Sequence, residues 1–177
     1  MADAAFGALL AEIDRAGVEH LLVGGLAVGA HGYVRATADV DILVAPATEN
    51  VRRLRELLLR LGAVRPDGSE LPADAPDGKR FLRVRTALGV LDVLPEGEPP
   101  LDFTSMSARA ITAEIEGVAV AVVDLATLVT LKMIADRPED RQDLQKLRTA
   151  HGWLPDPLID IADLRSSQSA RNEPAGL

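Results

Sequence analysis

Two aspartates separated by a single valine interrupt an apolar run, Asp39-Val40-Asp41-Ile42-Leu43-Val44. In extended chain successive side chains alternate between faces, so Asp39 and Asp41 point the same way, with Cα atoms roughly 6.6 Å apart at about 3.3 Å per residue. Val40, Ile42 and Val44 take the opposite face. Like charges side by side cost energy unless water or a cation compensates them, and paired oxygen ligands suit Mg²⁺. One face of this strand therefore belongs to a core and the other to a site. Upstream, Leu21-Leu22-Val23 reads as the end of a strand that meets a helix at Gly24-Gly25. Glycines there let the backbone approach a ligand, and N–H groups at the helix start can receive a phosphate; a plain strand-to-helix turn is the alternative.

Gly24-Gly25 after that apolar run, then Arg35, Thr37 and Asp39-Val40-Asp41 with its apolar tail, resemble the signature of the polymerase-beta-like nucleotidyltransferase superfamily. The form R-A-T-A-D-V-D, with the later L-K-M-I-A-D-R-P-E-D-R-Q-D-L, is most similar to bacterial nucleotidyltransferases of the AbiEii type, several of which are toxins of toxin–antitoxin pairs. The resemblance covers residues 1 to 150, roughly. It implies an α/β (α+β) fold, a short mixed sheet flanked by helices with a small helical segment after it. It also implies metal ligation by Asp39, Asp41 and a third carboxylate on a later strand, assigned to Asp92, in a two-metal Mg²⁺ arrangement. Gly24, Gly25, Arg35, Thr37 and Lys132 would hold the nucleoside triphosphate. Many superfamily members carry Ser at the position of Gly25, so a hydroxyl contact to phosphate is missing here. The implied reaction moves a nucleotide from an NTP to an acceptor hydroxyl. That acceptor is a tRNA 3′ end, a protein side chain or a small molecule such as an aminoglycoside or lincosamide antibiotic, and a toxin would have a cognate antitoxin. A non-catalytic binding module is the contrasting class, and the intact carboxylates argue against it.

Several of these residues are anomalous on physical grounds alone. Asp92 breaks the apolar run Leu88 to Leu94, and a buried unpaired carboxylate costs several kcal/mol, about 1–3 of them even on mutational scales. It needs a partner, a cation or solvent, the last being met if its strand lies at a sheet edge. Lys132 lies in Asp124 to Asp136, a helix apolar on nearly every side, where an ammonium must snorkel or meet a carboxylate or phosphate. Asp143, on the following helix, either holds Lys132 or faces the pocket. Arg35 suits a phosphate through its two-pronged fork; the alternative is a loop arginine paired with Asp39. Arg83 and Arg85 share a strand face bordering the acceptor site, and His31 reads as a helix-end polar residue.

The 177 residues, 47% apolar, support one domain over residues 1–153, with a helical segment at 124–151 and a polar, partly disordered tail at 154–177. A net charge of −8 and a pI near 4.9 exclude a broadly basic nucleic-acid binder. The arginines at 52, 53, 55 and 60 on the predicted helix 48–61 are the one local basic patch, with a solvated helix face as the alternative. Aromatics at 3% argue against base-stacking platforms, and the absence of Cys excludes disulfides and thiolate chemistry. His residues at 20, 31 and 151 are too scattered for a His-based metal centre. No leader pattern or spanning apolar run is legible, so the expected setting is cytoplasmic, without membrane contact. Residues 65–78 read as a surface loop, 101–110 are ambiguous, and Glu116-Gly117 predicts a hairpin turn.

Overall fold

The computed structural model describes residues 6–164; the sequence reading of a disordered stretch from Arg165 lies outside them. The chain begins with α1 (Phe6–Arg15), whose Leu9, Leu10 and Ile13 recur at helical spacing and are buried. β1 (His20–Val23) follows, then α2 (Gly24–Ala30), β2 (Asp39–Val44) and α3 (Thr48–Arg60). β3 (Leu82–Thr86) and β4 (Gly89–Leu94) form a hairpin, joined through α4 (Phe103–Ser107) to a second hairpin, β5 (Ile111–Ile115) and β6 (Val118–Val122). α5 (Leu125–Ala135) and α6 (Pro138–His151) complete the described elements.

The strands make one six-stranded mixed sheet in the order β3-β4-β2-β1-β6-β5. β2 runs antiparallel to β1 and parallel to β4, and β1 runs parallel to β6. β1 and β2 occupy the middle, which explains why Leu21, Leu22 and Val23 are buried without alternation. The core gathers Val40, Ile42 and Val44 of β2, Leu91 and Val93 of β4, and Leu54, Leu57 and Leu58 of α3.

Differences from the sequence reading have local causes. The ambiguous stretch contains α4, one short turn capped by Asp102, whose carboxylate accepts from Ser105 N at 3.0 Å. The irregular stretch read at 65–78 runs on to residue 81, and β3 begins at Leu82, because Asp77 accepts the backbone N–H groups of Lys79 and Arg80 and turns the chain there. β4 is an interior strand between β3 and β2, so Asp92 is not an edge residue facing water. The Glu116-Gly117 turn forms with φ of 49° and 81°, as a two-residue hairpin of this twist requires. No helix among the described residues is long and apolar enough to cross a membrane.

Candidate active site

Register brings the site together. Asp41 of β2 stands opposite Asp92 of β4, and Asp92 stands opposite Arg83 of β3, while Val23 at the end of β1 stands opposite Asp41. One row across the sheet therefore carries two carboxylates and a guanidinium, with Asp39 on the same strand face as Asp41. At the end of β1 the chain turns into α2 through Gly24, whose φ is +64°. A Cβ on Gly24 would lie 2.0 Å from Asp41 Oδ2, so the glycine is required both by the turn and by the carboxylate beside it. The backbone N–H of Gly25 donates to Asp41. A Cβ on Gly25 would meet Thr37 Oγ1 at 2.8 Å, so Thr37 fills the space that a side chain at 25 would need.

These residues line a cleft of about 440 Å³ together with Arg35, Thr37, Asp39, Lys132 and Arg137. Arg83 bridges two of its acids, donating from Nη2 to Asp39 Oδ2 at 2.8 Å and from Nη1 to Asp92 Oδ2 at 3.1 Å. Thr37 Oγ1 donates to Asp39 Oδ1 at 3.1 Å. Asp92 is only 4% exposed, and its Oδ1 has no hydrogen-bond partner. Burial is the main force raising its pKa to about 6; the Asp41 and Asp39 charges add to the rise and Arg83 opposes it. Asp41 is raised as well, by burial first and then by Asp39.

The cationic side is built by α5 and α6. Lys132 donates to Asp140 at 2.7 Å and stands 2.7 Å from Asp143, all three side chains being buried. Arg35 forks onto Asp143 at 2.7 and 3.0 Å, and Arg137 reaches Asp140 at 2.7 Å. Burial pushes the Asp140 carboxyl up, but the hydrogen bonds from Arg137 and Lys132 outweigh it and hold it below its ordinary value. Arg35 therefore pairs with Asp143 and not with Asp39. Asp143 lies behind the cleft, aligning Lys132 and Arg35, and does not line it. Beside this array a second, mainly apolar cavity of about 250 Å³ opens among Leu94, Leu128, Leu131 and Ile134, sharing Gly24, Asp41, Lys132 and Arg137 with the first.

No group of three or more Asp, Glu or His side chains among the described residues is disposed to hold a metal ion. Asp39, Asp41 and Asp92 reach the same cleft, but the Arg83 guanidinium takes one oxygen of Asp39 and one of Asp92. Sequence reasoning placed Arg83 at the border of the site and missed its ion pairs. Arg137 and Asp140 were read as a helix break and a helix N-terminal charge and not as part of the site, although the sequence signal existed: Asp140 is the third residue of α6, counting Pro138 as the first, and accepts the Arg137 N–H at 3.2 Å. His31 ends α2 and binds Val123 O at 2.8 Å, away from this chemistry.

No protein-family description and no curated protein sequence matches the chain. Solved structures do. The lincosamide antibiotic adenylyltransferase LnuA, solved with lincomycin bound, superposes with a TM-score of 0.61 at 13% identity, over 85% of this chain and 98% of that one. The antibiotic-resistance factor ANT(2'')-Ia, in complex with adenylyl-2''-tobramycin, gives 0.55 at 15% identity over 95% and 97%. An antigenic nucleotidyltransferase-like protein from Paracoccidioides brasiliensis gives 0.57 at 14% identity over 93% and 85%. The chain has the nucleotidyltransferase fold.

Proposed function

We propose that the protein is a nucleotidyltransferase that moves a nucleoside monophosphate from an NTP to an acceptor hydroxyl. The observation that carries this reading is the convergence, in one cleft of this fold, of Asp39, Asp41 and Asp92 facing Arg35, Lys132 and Arg137. The three acids do not close around an ion as they stand, but the unpartnered Asp92 Oδ1 and the all-oxygen donor set suit a divalent cation drawn between Asp39, Asp41 and Asp92. When bound, Mg²⁺ supplies charge neutralisation at the triphosphate and a lowered pKa for a ligated hydroxyl. Gly24 and Gly25 admit a phosphate close to the backbone, and Thr37 offers its hydroxyl beside them. Arg35, Lys132 and Arg137, aligned by Asp143 and Asp140, balance the triphosphate charge. The proton of the acceptor hydroxyl leaves to the Asp92 carboxylate, the third acid of the cleft.

The acceptor is a small molecule. Most of the arginines that could meet RNA are occupied: on α3, Arg52 and Arg53 by Glu49, Arg60 by Glu12 and Arg55 by the carbonyls of Pro72 and Ala75, and around β3, Arg80 by Asp74 and Asp77 and Arg83 by Asp39 and Asp92. With a net charge of −8, little positive surface remains to attract a polynucleotide. The bound lincomycin and adenylyl-tobramycin of the similarly folded proteins are ligands of the same chemical kind. A tRNA acceptor and an antitoxin partner, implied by the AbiEii-type resemblance, form the other arm of one test. Each α-³²P-labelled NTP is incubated with Mg²⁺ and either total tRNA or hydroxyl-bearing aminoglycosides and lincosamides, with Asp41→Asn alongside. Label on a small molecule with the unaltered protein alone supports the reading. Label on tRNA transfers it to the toxin class, and no transfer with no NTP binding leaves the non-catalytic module.

A further inference from the structure

Among the described residues, Arg83 is the one basic side chain bonded directly to the aspartate cluster. It comes from edge strand β3, opposite Asp92, and reaches across β4 to Asp39 on β2, two interstrand spacings away and two residues off its own row. Its two Nη atoms go to different acids, at 2.8 Å to Asp39 Oδ2 and 3.1 Å to Asp92 Oδ2. A fork that joins two carboxylates in this way does what a bridging cation does. It screens their repulsion and sets their spacing.

We propose that Arg83 is the built-in cation of this site, standing between Asp39 and Asp92 in place of one metal, so that the nucleotide-free protein takes a single divalent ion. This rests on the metal-binding reading above and departs from the two-metal arrangement implied by the sequence resemblance. Three carboxylates and one guanidinium leave a formal double negative charge, which one divalent ion cancels. The oxygens that Arg83 leaves free point to where that ion is held. Asp92 Oδ1 is buried without a partner, the Asp41 carboxylate receives the Gly25 N–H, and Asp39 Oδ1 accepts from Thr37.

The test is an Mn²⁺ titration of the full chain, following the electron paramagnetic resonance signal of the free ion. Unaltered protein and Arg83→Lys, which keeps the positive charge, are expected to take one Mn²⁺ per chain. Arg83→Gln is expected to take two, and Asp41→Asn to lose at least tenfold in affinity. The Arg83 side chain is 43% exposed, so its replacement leaves the core intact, and matching circular dichroism spectra check this. Two ions in the unaltered protein, or one in Arg83→Gln, overturn the proposal while leaving the metal site standing. No Mn²⁺ in any of the proteins overturns it together with the metal-binding reading.

Discussion

At Gly24 the conformation and the contact make the same demand. The positive φ disfavours any side chain, and the Asp41 carboxylate occupies the space a Cβ would enter. Gly24→Ala is expected to lower stability by about 1–2 kcal/mol and to weaken ATP binding, read from a urea midpoint and a nucleotide titration. Unchanged values in both would show that Asp41 has room to move. Asp92 makes a second prediction through its proton. Its folded pKa of about 6 lies above the ordinary 3.8, so between these values the folded chain holds a proton that the unfolded chain has released. Its contribution to stability is full below 3.8 and fades as pH rises through 6. In EDTA, Asp92→Asn is therefore expected to gain on the unaltered protein across that window, by about 3 kcal/mol at most, while losing transfer activity. A stability difference flat with pH would place the ionisation elsewhere. Asp39 and Asp41 were legible as a pair because strand alternation is local, whereas the bridging role of Arg83 depends on a register set by two other strands.

At the scale of elements, the docking of α6 on α5 makes the cationic wall. Lys132 sits on a helix that is otherwise apolar, and it is accommodated because α6 presents Asp140 and Asp143 to it. Removing one partner from a buried charge network is costly. Lys132→Met is expected to destabilise the fold by about 3–5 kcal/mol, read from chemical denaturation. Adding Asp140→Asn and Asp143→Asn should recover part of that loss, because the cost lies in stranded charge. A loss unaffected by the added changes would assign the effect to packing. The sequence pattern located a helix from Asp124 to Asp136 and a following one that carries Asp143. It left open whether Asp143 faces ligand or lysine, since helical periodicity gives a face and not its neighbour. α4 escaped notice because five residues carry too little periodicity to separate a turn of helix from a loop.

Taken whole, the molecule is acidic, with a cleft whose bases sit in a frame of acids. That balance suits an anionic nucleotide carried with its own cation better than a polyanion sliding over the surface. ATP with Mg²⁺ at a hundredfold excess over its dissociation constant is expected to stabilise the fold by about 2.7 kcal/mol, read as an upward thermal shift that Asp41→Asn abolishes. A shift surviving in Asp41→Asn would locate nucleotide binding outside this cleft. Total tRNA at physiological salt is expected to produce no shift, and one that falls steeply with added salt would restore the RNA reading.

The sequence by itself determined the local geometry. The paired aspartates on one strand face and the glycine turn before them follow from alternation, helical period and backbone freedom within a few residues, whereas the mixed α/β class and the placing of Arg35 and Thr37 at the site were implied by the family resemblance. Only the tertiary structure decided which charges meet. Arg83 finds Asp39 and Asp92, Lys132 finds Asp140 and Asp143, and Arg35 finds Asp143. In each of these contacts but Lys132–Asp140, the partners are at least nine residues apart, up to 108 for Arg35 and Asp143. Such meetings are fixed by strand order and helix docking, and those are settled by the burial of the whole core rather than by any single stretch of chain.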